Sequence, residues 1–167
     1  MGVNFIGMIT ARYQSEIHRP QGPAIDRDYI KRFARAHEDA GFDRILVPYH
    51  STDADTILAA SFVASSVERI GFMLAHRPGF VAPTLAARQF ATLDQFTGGR
   101  VATHIITGGD AAEQARDGDF LDHDTRYRRT DEYVGLLKRV WTSDKPFDHE
   151  GEFYRFEGAY SEVKPAT

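Results

Sequence analysis

The side chains best able to do chemistry lie in short clusters. Tyr49, His50 and Asp53, then His76 and Arg77, then His104, Thr107 and Asp110, stand in or just after apolar runs that read as strands. Parallel α/β proteins bind ligands beyond the carboxyl ends of their strands, so these positions, with Thr10–Arg12, mark one rim as the place for a site. The turn TGGR at 97–100, on the opposite rim, is chemically plain. His76 and Arg77 read either as a contact to an anion or an electron-rich ring, or as part of a solvated loop. In VATHIITGG the period of two puts Ala102, His104 and Ile106 on one face. A histidine buried in a strand must use both ring nitrogens, so His104 either bonds a ligand or belongs to a network within the protein. Gly108 and Gly109 read as successive N–H donors to an anion or as a plain turn. His123 and Tyr127 are spaced i,i+4, which on a helix beginning near Asp122 brings both rings to one face, where they can bond a single group. Asp122, His123 and Asp124 make a poor metal site, because adjacent residues point apart and no HxxxH pair exists. No Ser/His/Asp or lysine-centred nucleophile stands out, and the catalytic residues stay unassigned.

The elements that must hold these residues follow from hydrophobic period and stop signals. Val3–Ile9 reads as a short buried strand, followed by a polar loop from Thr10 to Pro23. A helix from Tyr29 to Ala40 is capped by Asp26 or Asp28 and stopped at Gly41. ILVP at 45–48 is a buried strand, and Thr52 or Asp53 caps a helix over Ala54–Ser66. Arg69–Ala75 and Val101–Thr107 read as strands on either side of a helix over Ala82–Phe96. A polar stretch over 108–126, read as a loop insertion, leads to a helix over Tyr127–Trp141. The segment 150–163 reads as a hairpin turned near Gly151 and Gly158, with His149, Glu150 and Glu152 on the surface.

Strands apolar on both faces and alternating with helices indicate a parallel sheet, so the fold class is α/β, one domain over 1–167 with about four parallel βα units. A (β/α)8 barrel needs eight such units and about 250 residues. Four units leave open edges, so either the chain is a truncated or split one, or a companion chain or self-association is expected to complete the barrel.

The 167 residues carry a formal charge of -4, which gives no field for a nucleic-acid backbone. The absence of cysteine excludes thiolate nucleophiles and Cys-ligated metals within the chain. No apolar run approaches a membrane span and no basic leader opens the sequence, so a cytoplasmic location is expected.

Three long words carry a resemblance: ILVP (45–48), RPGFVAPTLAARQFATLDQFTGGR (77–100) and ITGGDAAEQARDGDFLDHDTRYRRTDEY (106–133). With them the chain resembles the N-terminal half of the bacterial-luciferase-like flavin monooxygenases, most similarly the FMNH2-dependent alkanesulfonate monooxygenases. The resemblance implies half of a TIM barrel, an oligomer, and reduced FMN delivered by a separate NAD(P)H-dependent reductase. It also implies oxygenation of an alkanesulfonate by O2 to an aldehyde and sulfite; a related flavin or F420 oxidoreductase, or a half-barrel that binds flavin without oxygenating, are the alternatives. The cofactor contacts it implies are Asp53, His76, Arg77, His104, Thr107, His123 and Tyr127. His104 stands where the family has a flavin-touching asparagine, and Asp53 where the alkanesulfonate enzymes often carry a cysteine. His123 and Tyr127 match a His and Tyr near the flavin phosphate and ribityl chain. Arg12 and Tyr13 stand where the family has a histidine after the first strand. A non-prolyl cis peptide is expected near Leu74, Ala75 and His76.

Overall fold

The computed structural model describes residues 2–15 and 17–166. Its strands β1 (Ile6–Met8), β2 (Arg44–Val47), β3 (Gly71–His76) and β4 (Val101–Ile105) form one parallel sheet in the order β1-β2-β3-β4. Helices α1 (Arg27–Asp39), α2 (Thr56–Ala64) and α3 (Pro83–Thr97) alternate with them, followed by α4 (Ala111–Arg116), α5 (His123–Thr142) and an antiparallel hairpin of β5 (Phe147–Glu150) and β6 (Arg155–Ala159). This is the βα alternation of half a (β/α)8 barrel. The chain divides into two compact units: residues up to His76 with Arg100–His104, and Arg77–Gly99 with the chain from Ile105 onward.

In the first unit the buried side chains Ile9, Ile30, Ala34, Ile45, Val47, Val63, Phe72 and Leu74 form the core. Ile45 and Val47 alternate with half-buried Arg44 and Leu46, as a period of two requires. The register sets Met8 beside Leu46 and Leu46 beside Met73, one row across three strands. β1 is shorter and more exposed than its sequence suggests. It is an edge strand, so Ile6 and Met8 lack a neighbour on one side and stand exposed, and only Ile9 beyond its end is fully buried.

Asp26 caps α1 by accepting the N–H groups of Asp28 (3.1 Å) and Tyr29 (2.9 Å), and Gly41 leaves it at φ +79°. In the last turn of α1 the Glu38 carboxylate accepts the N–H groups of Glu68 (3.1 Å), Arg69 (2.7 Å) and Ile70 (2.9 Å), which seats the chain entering β3. The cap of α2 is Asp55, whose carboxylate accepts from Leu58 N at 2.8 Å, and not Thr52 or Asp53. Two contacts delay the helix: Asp53 N donates to His50 O (3.0 Å) in a turn of its own, and Thr56 Oγ1 donates to Pro48 O (2.8 Å).

The second unit is built on α3 and α5. Pro83 opens α3, and Gly98 closes it in the left-handed region at φ +68°. Ala86, Ala87 and Ala91 keep one face of α3 low, and Trp141 Nε1 of α5 donates to Ala87 O at 2.9 Å. α5 starts four residues earlier than its apolar period indicates, because Asp122 accepts from both Thr125 N (3.0 Å) and Thr125 Oγ1 (2.6 Å). The polar stretch 108–126 contains the helix α4, which buries no apolar residue and so gave no periodic signal. Nor is His149 a surface group: its Nε2 lies 2.8 Å from Glu132 Oε1, and the same carboxylate accepts the N–H groups of Phe153 and Tyr154, pinning the hairpin to α5. Among the described residues no peptide bond is cis, so the bond expected near Ala75 is trans, within the regular strand β3. No described helix is long and apolar enough to cross a membrane.

Candidate functional site

Within the first unit a cavity of about 160 Å³ opens beyond the carboxyl ends of β1 and β2. Ile9, Ile30 and Val47 give it an apolar floor, and Thr10, Arg12, Gln14 and Asp53 supply polar walls. Released from capping, Asp53 is an exposed carboxylate on this wall, sharing it with the Arg12 cation. A cavity of about 150 Å³ holds a benzene ring, so the apolar part of this one suits a group of about six carbons. His76 ends β3 and is buried. Burial pushes its imidazole down to about 4 against the pull of the Asp55 charge, so the ring is neutral at neutral pH. His104 departs from expectation. It stands exposed on β4, at the end of the strand order, so water can serve both ring nitrogens and no internal network is required.

Within the second unit the His123 and Tyr127 rings lie 4.8 Å apart on one face of α5, as the i,i+4 spacing predicts. Their exposure is high, 65% for the His123 side chain and 55% for Tyr127. His123 Nδ1 lies 2.9 Å from Asp124 Oδ1. Thr107 Oγ1 is 3.3 Å from Thr130 Oγ1, one turn further along α5. Arg77 is not part of a solvated loop: it is 3% exposed, and its Nη2 donates to Glu113 Oε2 at 2.8 Å. Asp110 caps α4 through the N–H groups of Ala112 and Glu113. Gly108 takes φ +90°, where a Cβ would overlap the Gln114 amide. No group of three or more His, Asp or Glu side chains among the described residues is arranged to hold a metal ion.

Residues 3–167 match the family described as luciferase-like monooxygenases. The chain belongs to this family. Solved structures share its fold: EDTA monooxygenase (EmoA) from Chelativorans sp. BNC1 superposes with a TM-score of 0.83 at 19% identity, over 96% of this chain and 46% of that one. DmoA from Hyphomicrobium sulfonivorans gives 0.74 at 22% identity, over 98% and 45%. An F420-dependent secondary alcohol dehydrogenase, solved with an F420–acetone adduct, gives 0.76 at 21% identity, over 98% and 49%. The chain therefore spans about half the length of the structures it matches.

In this luciferase-like chain several residues that shape the site carry no simple signal in the sequence. Glu113 lies 36 positions from Arg77, a separation no local pattern reveals. Arg126 is buried on α5, donating to Leu121 O (2.6 Å) and Gly108 O (3.3 Å), and so it closes the segment 108–121 at both ends. Arg129, also buried, pairs with Asp119 and donates to Pro78 O at 3.1 Å. A signal did exist: Arg126 and Arg129 fall on the same stripe as Tyr133, Leu136, Leu137 and Val140, where a charge needs a specific acceptor.

Proposed function

We propose that this chain is the flavin-binding half of an FMNH2-dependent monooxygenase. The observation that carries the reading is the exposed His123–Tyr127 pair at the start of α5, in a chain matched to luciferase-like monooxygenases from residue 3 onward. The donor set fits a phosphate ester. The Tyr127 hydroxyl can donate to a phosphate oxygen, and the His123 ring, its Nδ1 2.9 Å from Asp124 Oδ1, lies beside it on the same face of α5. Thr107 and Arg77, in the same unit, are the further contacts proposed there. In the first unit the proposed contacts are Asp53, His76 and His104, with neutral His76 a hydrogen-bond partner that adds no charge.

When bound, reduced FMN supplies the electrons that activate O2 for transfer of one oxygen atom to the substrate. The protein's part is to seat, orient and keep water away. The apolar floor of the cavity favours a short alkyl chain, and Arg12 on its wall favours an anionic head, which together suit a small alkanesulfonate. A separate flavin reductase and a companion chain, or a second copy, that pairs the free edge of β1 belong to the same proposal.

The test is titration of the chain with FMN and F420, read by flavin fluorescence, for the wild type and for His123→Ala and Tyr127→Phe. FMN binding that weakens about tenfold or more in both variants is expected, as for loss of a charge-assisted contact. Unchanged binding refutes the assignment of these two residues, and preferential binding of F420 replaces the monooxygenase reading with that of a deazaflavin oxidoreductase. Binding of FMN with no oxygenation of an alkanesulfonate, reductase and companion chain being supplied, leaves a flavin-binding half-barrel.

A further inference from the structure

α4 is held in place in an unusual way. The only side chains it buries are Glu113 and Gln114, both polar, so the hydrophobic effect contributes little to its docking. Glu113 is spent on the ion pair with Arg77, the first residue beyond β3. Gln114 is fully buried, and neither of its amide atoms has a hydrogen-bond partner among the described residues, a burial that costs free energy with no return. The pair itself sits near break-even, because desolvating a carboxylate and a guanidinium offsets most of their attraction. The segment is also bounded by two glycines in the left-handed region, Gly108 at φ +90° and Gly118 at φ +87°. Asp110 caps the helix from within, so α4 can move as a folded piece between these points.

We propose that α4 is a lid hinged at Gly108 and Gly118, latched by Glu113 on Arg77, and that an oxyanion of the cofactor or substrate displaces Glu113 when the lid opens. The inference rests on the flavin-binding reading above, and it adds to that reading a regulated entry. A carboxylate, a phosphate and a sulfonate all present paired oxygens to a guanidinium, so Glu113 is a built-in competitor for the ligand's own charge. Opening exchanges one oxyanion for another on the same cation and relieves the buried Gln114 amide. That exchange keeps the two states close in free energy, which a lid requires.

Hydrogen exchange of the peptide spanning 109–118, measured on the full chain by mass spectrometry, reads the lid, and ligand titration reads the competition. Glu113→Gln removes the competing charge while keeping the shape. It is expected to speed exchange of this peptide about tenfold and to tighten binding of FMN or of hexane-1-sulfonate about fivefold or more. Gln114→Leu replaces the unsatisfied amide with an apolar group of similar size, and it is expected to do the reverse, slowing exchange and weakening binding. In the wild type, whichever of FMN and hexanesulfonate speeds exchange of 109–118 identifies the source of the oxyanion.

Unchanged exchange in Glu113→Gln, or binding that is unchanged or weaker, overturns the latch. Should Glu113→Gln fail to fold, Gln114→Leu decides alone, and faster or unaltered exchange in it overturns the proposal. If the wild type binds neither FMN nor hexanesulfonate, the flavin reading fails separately. Sodium sulfate against sodium chloride at equal ionic strength then tests Arg77, with faster exchange of 109–118 in sulfate supporting the latch and equal exchange refuting it.

Discussion

Replacing Glu38 should cost more than any other single change to an acidic side chain in the first unit. Its carboxylate lies in the last turn of α1, at the negative end of the helix dipole, where a cation is the favourable residue. Three backbone N–H groups hold it there, at 3.1, 2.7 and 2.9 Å. Of their residues only Ile70 is buried; Glu68 and Arg69 are exposed, so water can replace the carboxylate at those two. One sheltered charge-assisted bond at roughly 1.5–2 kcal/mol and two exposed ones at roughly 0.5 kcal/mol each, less a few tenths for the dipole, give a loss of about 2–3 kcal/mol for Glu38→Ala. Glu38→Gln keeps one acceptor oxygen and should lose about 1 kcal/mol.

Urea unfolding checks this, since a loss of about 2 kcal/mol lowers the midpoint by about 1 M at the slopes usual for small domains. The pH dependence has a definite sign. Burial opposes ionisation of Glu38, but the three N–H donors outweigh it and hold the carboxyl below its ordinary value of 4.5. The stabilisation is thus complete above about 4.5 and disappears as pH falls through the lowered value, so wild type and Glu38→Ala should converge in acid. A deficit below about 0.5 kcal/mol at neutral pH, or one that persists undiminished in strong acid, would refute the reasoning.

Three further outcomes are expected. Because neutral His76 is favoured by burial, stability should fall by up to about 3 kcal/mol as pH drops from 6.5 to about 4, and His76→Asn should flatten urea midpoints over that window; an equally steep variant would show that other groups titrate there. Gly79→Ala should destabilise by about 3 kcal/mol in thermal unfolding, since Gly79 sits at φ +108° and a Cβ would overlap the Arg129 guanidinium and disturb its buried pair with Asp119; a change under 1 kcal/mol would mean that Arg129 can move aside freely. Glu132→Ala should release the β5–β6 hairpin, seen as faster proteolysis at Arg155 with little change at Arg100, because Glu132 alone accepts from Phe153 N, Tyr154 N and His149; uniform cleavage would contradict a local role.

The alternation of strands and helices was legible because each strand is apolar and each helix carries its own stop, as with Gly41 after α1 and Gly98 after α3. The parallel order could be inferred from that grammar and the handedness of βα connections. The His123–Tyr127 pair was legible because helical spacing is a local property. What the sequence hid was long-range or set by competition. The cap of α2 moved to Asp55 because Thr56 found Pro48 O, and His104 became exposed because its burial depends on neighbours its own strand does not specify. α4 escaped notice for the reason that makes it interesting: a helix docked by a salt bridge leaves no hydrophobic period.

The row of Met8, Leu46 and Met73 gives the sheet a sensitivity to oxidants. With no cysteine in the chain, thioethers are its only sulfur, and the parallel register sets two of the three methionines at one height on β1 and β3, on either side of Leu46. Met8 is 52% exposed while Met73 is half-buried, so peroxide meets Met8 first. Its sulfoxide would place a strong dipole against Leu46, converting the softest patch of the sheet into a polar one that methionine sulfoxide reductases can restore. Oxidation of Met8 would thus be the first chemical change that a peroxide makes in this row, with Met73 following more slowly.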